Sequence, residues 1–158
     1  MTPNKRNVIL THVPNDDQWP YCQLMSKETG REFHVEYMST GNGNNHLRCL
    51  FCYVFFPLLV FLRRHRYDYI VAQQQFYGLM LAFYCRLFRV RKDFHLFVLT
   101  FIYLPKAGVV GRIYRRFMRY IVQSPYIDFF TVHSTAEPSL YASQLGVSVI
   151  VSILFRWA

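Results

Sequence analysis

The chain has 158 residues, enough for one hydrophobic core but short for two domains, which commonly run to about 100–150 residues each. Its residues are 53% hydrophobic and 18% aromatic with only 17% charged, a composition that argues against intrinsic disorder. Eighteen Lys and Arg against nine Asp and Glu give a net charge of +9, which favours anionic partners such as phosphate-bearing ligands, lipid headgroups or nucleic acid. We therefore predict a single domain over residues 1–158.

Cysteine usage indicates a reducing compartment. The first residues lack the apolar core of a secretory signal, so we expect no disulfide framework and a cytoplasmic location. Cys49 and Cys52 form a CxxC pair inside an apolar run, but the sequence offers no second ligand pair for a closed zinc site. We expect these thiols to act as small apolar groups and predict no metal.

The first predicted strand covers Asn7–Val13 and ends at the turn Pro14–Asp17. Ligands of open parallel sheets bind beyond the carboxyl ends of the strands, which places Thr11 and His12 where they could contact a ligand. The alternative for His12 is a loop histidine hydrogen-bonded to backbone, because no acid–base partner is visible in the sequence.

A helix over Gln18–Lys27 and a second strand over Phe33–Met38 are predicted next. The Gly- and Asn-rich residues Gly41–Asn45 resemble a phosphate-binding loop, but they match neither the Walker nor the dinucleotide pattern, so a flexible turn is the alternative.

The most apolar stretch is Leu50–Leu62, which is followed by the basic residues Arg63–Arg66. It is shorter than the roughly 20 residues that a membrane span needs, and Pro57 interrupts it. We predict a buried or interfacial helix, and a membrane-spanning helix is the alternative.

The stretch Tyr67–Phe101 has the pattern of a strand, crossover helix and strand. We predict a strand over Asp68–Ala72, a polar turn over Gln73–Gly78, a helix over Leu79–Val90 and a strand over Phe94–Phe101. Such a unit implies a parallel sheet that is buried on both faces. The predicted fold class is therefore α/β, with a doubly wound, mostly parallel sheet and helices on both faces.

A basic amphipathic helix is predicted over Val110–Gln123, after the loop Ile102–Gly111. Four arginines share one of its faces: Arg112, Arg115, Arg116 and Arg119. An apolar stripe occupies another face: Ile113, Phe117, Tyr120 and Ile121. The arginine face suits an anionic membrane or a phosphorylated ligand, and the alternative is a solvated outer face of a crossover helix.

The last predicted elements are a strand over Asp128–Val132, a helix that begins near Ser134 and Glu137 and stops at Gly146, and a strand over Val147–Leu154. A hydroxyl residue that precedes an acidic one is close to a capping signal, and glycine suits a helix C-cap.

Three segments together resemble the N-terminal Rossmann-like domain of bacterial GT-B glycosyltransferases of the retaining family 4 type. They are DYIVAQQQFYG, TFIYLPKAGVVGRIYRRFMRYI and IDFFTVHSTAEPSLYASQLGV. The resemblance extends from about Asp68 to Val149 and, more loosely, to the first strand. It depends on the order of the segments, and no single motif carries it.

This resemblance implies the acceptor-side domain of an enzyme that transfers a sugar from a nucleotide diphosphate sugar to a saccharide or lipid-linked hydroxyl acceptor, as in polysaccharide biosynthesis. In this family the donor binds mainly to a C-terminal domain, for which the chain has no counterpart, and no protein-bound metal or other cofactor is used. The expectation is a truncated chain, inactive alone, whose partner is the missing domain or its separate chain. Members usually carry a glycine-rich loop after the first strand, where this sequence has His12–Asp16.

Seven residues are expected to line the cleft on the acceptor side: Thr11, His12, Gln74, Gly78, Lys106, Ser134 and Glu137. Lys106 is expected to attract phosphate, and Gly78 to allow close approach of backbone. Ser134 and Glu137 are expected to cap a helix, and no catalytic residue is assigned.

The alternative function is a non-catalytic, basic protein that binds a membrane surface or a protein partner. It would use Leu50–Leu62 and the arginine face over 112–119 at the inner face of the cell membrane, where the transferase could also be peripherally bound. Nucleic-acid binding is not expected, because the aromatic residues lie in apolar runs and do not alternate with basic residues.

Overall fold

The computed structural model describes residues 5–39, 46–132 and 137–146. Within these residues five strands form one sheet: Arg6–Thr11 (β1), Phe33–Tyr37 (β2), Tyr67–Ala72 (β3), His95–Val98 (β4) and Phe129–Phe130 (β5). The strands lie in the order β2-β1-β3-β4-β5, and every neighbouring pair is parallel. The predicted α/β fold is confirmed as a Rossmann-like, doubly wound arrangement.

Among the described residues, four helices connect these strands, and a fifth follows β5: Pro20–Thr29 (α1), His46–Leu62 (α2), Gln75–Leu87 (α3), Gly108–Val122 (α4) and Glu137–Leu145 (α5). A single 3-10 turn, Arg64–Arg66, leads from α2 into β3. The predicted helix over the apolar stretch is confirmed, and it extends four residues further towards the N-terminus than Leu50.

Side chains alternate between the two faces of the sheet along each strand, and an apolar cluster packs on each face. Val8 and Leu10 belong to the large apolar cluster beneath α2, α3 and α4. Ile9 points to the other face, where it packs in a smaller cluster with Cys22 of α1 and Val71 of β3. Strands that are buried on both sides need continuous apolar runs, and such runs make strands predictable from the sequence.

Helix α3 approaches the sheet closely because its first turn contains Gly78. A Cβ atom at Gly78 would lie 2.7 Å from Cγ2 of Val98 and 2.8 Å from Cβ of Ala72. The adjacent Tyr77 is fully buried and donates a hydrogen bond from its hydroxyl to the carbonyl oxygen of Met38 across 2.8 Å. These contacts fix α3 across β3 and β4.

Helix α4 turns a different face to the sheet from the apolar stripe seen in the sequence. It buries Gly111, Met118 and Ile121, whereas Ile113 and Phe117 remain exposed. Only Ile121 of the predicted stripe lies in the core. The helix thus has three faces: one buried, one basic and one apolar but exposed.

Several predicted boundaries are wrong: β1 ends at Thr11 and not at Val13, and α3 ends at Leu87 and not at Val90. The segment 73–78 is not a turn throughout, because α3 already begins at Gln75. Strand β4 ends at Val98 and does not reach Phe101, since Thr100 has a positive φ of 54° that leaves the extended region. Gly146 follows α5 with φ of 65°, as expected of a helix C-cap. The predicted strand 147–154 and the loop 41–45 lie outside the described residues.

Candidate ligand-binding site

The strand order creates a crevice between the carboxyl ends of β1 and β3. From β1 the chain moves to β2 on one side and then crosses to β3 on the other, so the loops that follow β1 and β3 diverge. In open α/β sheets this switch point is where ligands bind. The amide of Gln73 donates to the carbonyl oxygen of Leu10 across 3.0 Å, which fixes the two strand ends beside each other.

Thr11 ends β1 and His12 follows it, so both lie at the carboxyl edge of the sheet. Thr11 is fully buried, and its Oγ1 accepts a hydrogen bond from the amide of Val13 across 3.2 Å, so it stabilises the turn. His12 is partly buried, and its Nδ1 is shielded from solvent without a hydrogen-bond partner among the described residues. A buried polar atom left unpaired costs about 1–3 kcal/mol, unless a ligand or water satisfies it.

The three glutamines after β3 have three different environments. Oε1 of Gln73 is buried and, within the described part of the chain, has no hydrogen-bond partner. Gln74 donates from Nε2 to the hydroxyl of Tyr53 across 3.3 Å, and Oε1 of Gln75 accepts from the amide of Ile102 across 2.8 Å. Sequence reasoning missed Gln73. Its amide oxygen has no partner among the described residues, and Gln73 follows β3 as His12 follows the adjacent strand β1. The run of three glutamines does not indicate which of their amide oxygens is left without a partner among the described residues.

A strained residue lies on the next strand end. Thr100 is a β-branched residue with φ of 54°, a conformation that costs of order 1–3 kcal/mol and that clusters at functional sites. Its amide donates to Oγ1 of Thr131 across 2.9 Å, and its own Oγ1 donates to the carbonyl oxygen of Gln73 across 3.3 Å. The strain is therefore held by contacts on both sides, and one of them reaches the crevice.

Lys106 precedes α4 at the same edge of the sheet and is exposed. Its Nζ lies 5.3 Å from the centroid of the Tyr114 ring, and its carbonyl oxygen lies 1.8 Å from where a Cβ of Gly111 would be. Gly111 thus permits the loop to fold against the first turn of α4. The Lys106 ammonium is placed where it can attract an anion approaching that edge.

Three predicted cleft residues remain: Gly78, Ser134 and Glu137. Only Gly78 has a described environment. Gly78 is buried against Ala72 and Val98, so its contacts are with the sheet, and they account for a glycine there without a ligand. Ser134 lies outside the described residues, as does the side chain of Glu137, although Glu137 begins α5.

The four arginines of α4 are all exposed, as their spacing predicts. Nη2 of Arg119 donates to the carbonyl oxygen of Gln144 across 2.9 Å, which ties α4 to α5. Arg112, Arg115 and Arg116 lie on the same side of the helix, away from the sheet.

The four cysteines form no disulfide, and Sγ of Cys52 is directed at the carbonyl oxygen of Ser39 across 3.7 Å. Nowhere in residues 5–39, 46–132 and 137–146 do three or more His, Cys, Asp or Glu side chains come together as a metal site. Nor is any helix in those ranges both long and apolar enough to cross a membrane.

Comparison of the chain with protein-family models, with curated proteins and with solved structures found no match. The functional argument therefore depends on the crevice itself. Its features are a histidine nitrogen and an amide oxygen that have no partner within the described residues, a strained threonine and a nearby lysine. Hydrogen-bonding side chains of this kind suit hydroxyl-rich ligands.

Proposed function

We propose that this chain is the acceptor-side domain of a GT-B glycosyltransferase that transfers a sugar from a nucleotide diphosphate sugar to a hydroxyl acceptor. The supporting observation is a pair of buried polar atoms that have no hydrogen-bond partner among the described residues, Nδ1 of His12 and Oε1 of Gln73, directly after the adjacent strands β1 and β3. An acceptor hydroxyl can both donate and accept a hydrogen bond, so it could satisfy both atoms. The doubly wound sheet is consistent with the GT-B fold. The same sheet architecture also occurs in proteins with many other functions.

In this proposal the domain binds and orients the acceptor and does not catalyse transfer alone. A second domain supplies the donor site, because transfer requires donor and acceptor to be held together in a cleft. Lys106 adds attraction for a phosphate on a lipid-linked acceptor or on the donor, since it is exposed at the same edge. The proposed location is cytoplasmic, at the inner face of the cell membrane.

Binding is the direct test. We would record NMR spectra of the chain with nitrogen-labelled His and Gln while adding methyl glycosides, UDP-glucose and GDP-mannose. We expect signals of His12 and Gln73 to shift with the sugars, and Gln73→Met to weaken that binding. Gln75→Met is the matched control, because Oε1 of Gln75 already accepts the amide of Ile102.

Two results would overturn the proposal. Shifts that avoid the loops after β1, β3 and β4 for every sugar would remove the acceptor site. Efficient sugar transfer by residues 1–158 without any second domain would contradict the assignment to one side of a two-domain enzyme.

A second candidate function is a non-catalytic protein bound to a membrane surface or to a protein partner. It is favoured by the outer surface of α2, α3 and α4, where large apolar side chains are exposed, among them Phe51, Val110 and Ile113. Such a surface is compatible with either function, since an enzyme acting on lipid-linked acceptors would also use it.

A further inference from the structure

Helices α2, α3 and α4 lie side by side on one face of the sheet. The hydroxyl of Tyr84 in α3 donates to the carbonyl oxygen of Val54 in α2 across 3.0 Å. On the other side of α3, the ring of Phe83 packs 5.4 Å from that of Phe117 in α4. The three helices therefore form one layer with α3 in the middle. We call the outward side of this layer, formed by residues of 46–62, 75–87 and 108–122, the three-helix surface.

The centre of the three-helix surface is apolar. Along α3 the outward positions are Phe76, Met80, Phe83 and Leu87, spaced as one line along a helix. On α2, Phe51 is 58% exposed, and on α4 Val110 and Ile113 are 70% and 66% exposed. Scattered apolar residues are normal on a protein surface, but a patch shared by three adjacent helices marks an interaction site.

The charge of this surface has one sign. The three helices contain six arginines: Arg48, Arg86, Arg112, Arg115, Arg116 and Arg119. They contain no Asp or Glu, and all nine acidic residues of the chain lie elsewhere in the sequence. Helices that simply face water usually carry both signs, because i,i+4 pairs of opposite charge stabilise them. The absence of any carboxylate here instead suits a negatively charged partner.

The arginines are placed beside the apolar groups. The guanidinium of Arg86 lies 4.1 Å from the centroid of the Tyr120 ring, so a cation from α3 covers an aromatic ring on α4. Arg112 and Arg116 neighbour Ile113 on the exposed side of α4. A long side chain can keep its charge at the headgroup level while its stem lies along apolar surface.

We propose that the three-helix surface lies flat on an anionic lipid bilayer, with its apolar side chains entering the boundary between headgroups and acyl chains and its arginines contacting lipid phosphates. This combination of an apolar centre with basic flanks is that of interfacial helices. The proposal rests on the second candidate function above, which it deepens by naming the lipid and the surface, and it does not depend on the glycosyltransferase function.

Other occupants fit the surface less well. A second copy of this chain, paired about a two-fold axis, would bring arginines against arginines with no carboxylate on the three helices to offset them. Nucleic acid would match the arginines but would leave the apolar centre without a partner, since such interfaces are polar. A bilayer with anionic headgroups matches both the charge and the apolar area.

The test is sedimentation of the full chain with vesicles of phosphatidylcholine, with and without phosphatidylglycerol. We expect binding to the anionic vesicles, weaker binding to neutral ones, and loss of binding at high salt. Ile113→Asp on α4 and Phe51→Asp on α2 should each abolish most of the binding. Arg112→Gln combined with Arg116→Gln should weaken it by about fivefold per arginine.

The matched control is Leu24→Asp, because Leu24 is 48% exposed but belongs to α1 on the opposite face of the sheet. It should bind as the unchanged chain does, and circular dichroism and thermal unfolding would show whether each variant is folded. Equal loss with Leu24→Asp, or no effect of Phe51→Asp, would overturn the three-helix surface. Binding that survives high salt and carbonate would instead mean insertion, and self-association that Ile113→Asp removes, without vesicle binding, would assign the surface to a second copy.

Discussion

The backbone amide of Thr100 donates a hydrogen bond to Oγ1 of Thr131 across 2.9 Å, so the strained loop after β4 is held by the end of β5. Thr131 is buried, and its own amide donates to the carbonyl oxygen of Val98 across 3.0 Å. The last described strand is only two residues long, yet it fixes the conformation of a loop that borders the crevice.

Removal of this acceptor should destabilise the fold. In Thr131→Val the side chain keeps its shape but leaves the Thr100 amide without its partner, and we expect a loss of about 1–3 kcal/mol in the free energy of unfolding. Urea denaturation followed by circular dichroism would measure it. Thr131→Ser keeps the hydroxyl and should lose less, and equal losses for Val and Ser would show that the hydrogen bond contributes little.

A methyl group at Gly78 should also destabilise the chain, despite the gain of about 1 kcal/mol in helix propensity from Gly to Ala. The new Cβ would lie 2.7 Å from Cγ2 of Val98, which is closer than van der Waals contact, and overpacking typically costs about 1–3 kcal/mol. Measured in the double variant, Gly78→Ala should cost less when Val98→Ala removes the clashing methyl. Strictly additive losses in this cycle would rule out the steric explanation.

The sequence was sufficient to predict the fold but not the faces of its helices. Continuous apolar strands alternating with helical segments allow few arrangements other than a parallel, doubly wound sheet. On α4, however, the face with Ile113 and the face with Met118 are both apolar. The spacing of the residues does not show which of the two faces packs on the sheet. The close approach of the preceding loop at Gly111 decides it, and that contact between loop and helix has no sequence pattern.

The position of Thr11 and His12 in the fold was predictable, but the conformation and contacts of the neighbouring residues were not. The rule for parallel sheets placed Thr11 and His12 at the carboxyl edge, because it needs only the ends of the strands. The positive φ of Thr100 is contrary to the preference of a β-branched residue, so local sequence predicts the opposite. The role of Gln73 depends on the register between β1 and β3, which only the sheet defines.

Acid should weaken the fold partly through Asp17. Burial alone would raise the pKa of this carboxyl, but its hydrogen bonds with His34 and with the amide of Val35, at 2.9 Å and 2.7 Å, outweigh burial and hold the pKa below its ordinary value. A lowered pKa in the folded state gives a stabilisation that is present above about pH 4 and is lost as the pH falls through the folded pKa.

We therefore expect Asp17→Asn to lose stability near neutral pH and to depend less steeply on pH below about pH 4 than the unchanged chain. Urea midpoints across that range would show it. Glu28→Gln, at an exposed position of α1, is the control for the loss of one negative charge. An unaltered slope for Asp17→Asn would mean that its carboxylate is no better stabilised in the folded state than in the unfolded state.

The two neighbouring glutamines after β3 should respond in opposite ways to the same substitution. Oε1 of Gln73 is buried without a partner in the described structure, whereas Oε1 of Gln75 accepts the amide of Ile102 across 2.8 Å. Methionine has a similar length and no amide, so Gln73→Met removes an unsatisfied acceptor and should leave the free energy of unfolding unchanged or raise it by up to about 2 kcal/mol. Gln75→Met deprives the Ile102 amide of its acceptor and should lower it by about 1 kcal/mol. Chemical denaturation of both variants without added sugar gives the comparison. A clear loss of stability in Gln73→Met would mean that its amide oxygen is satisfied in the free protein, and the crevice would lose the atom that most directly indicates a ligand.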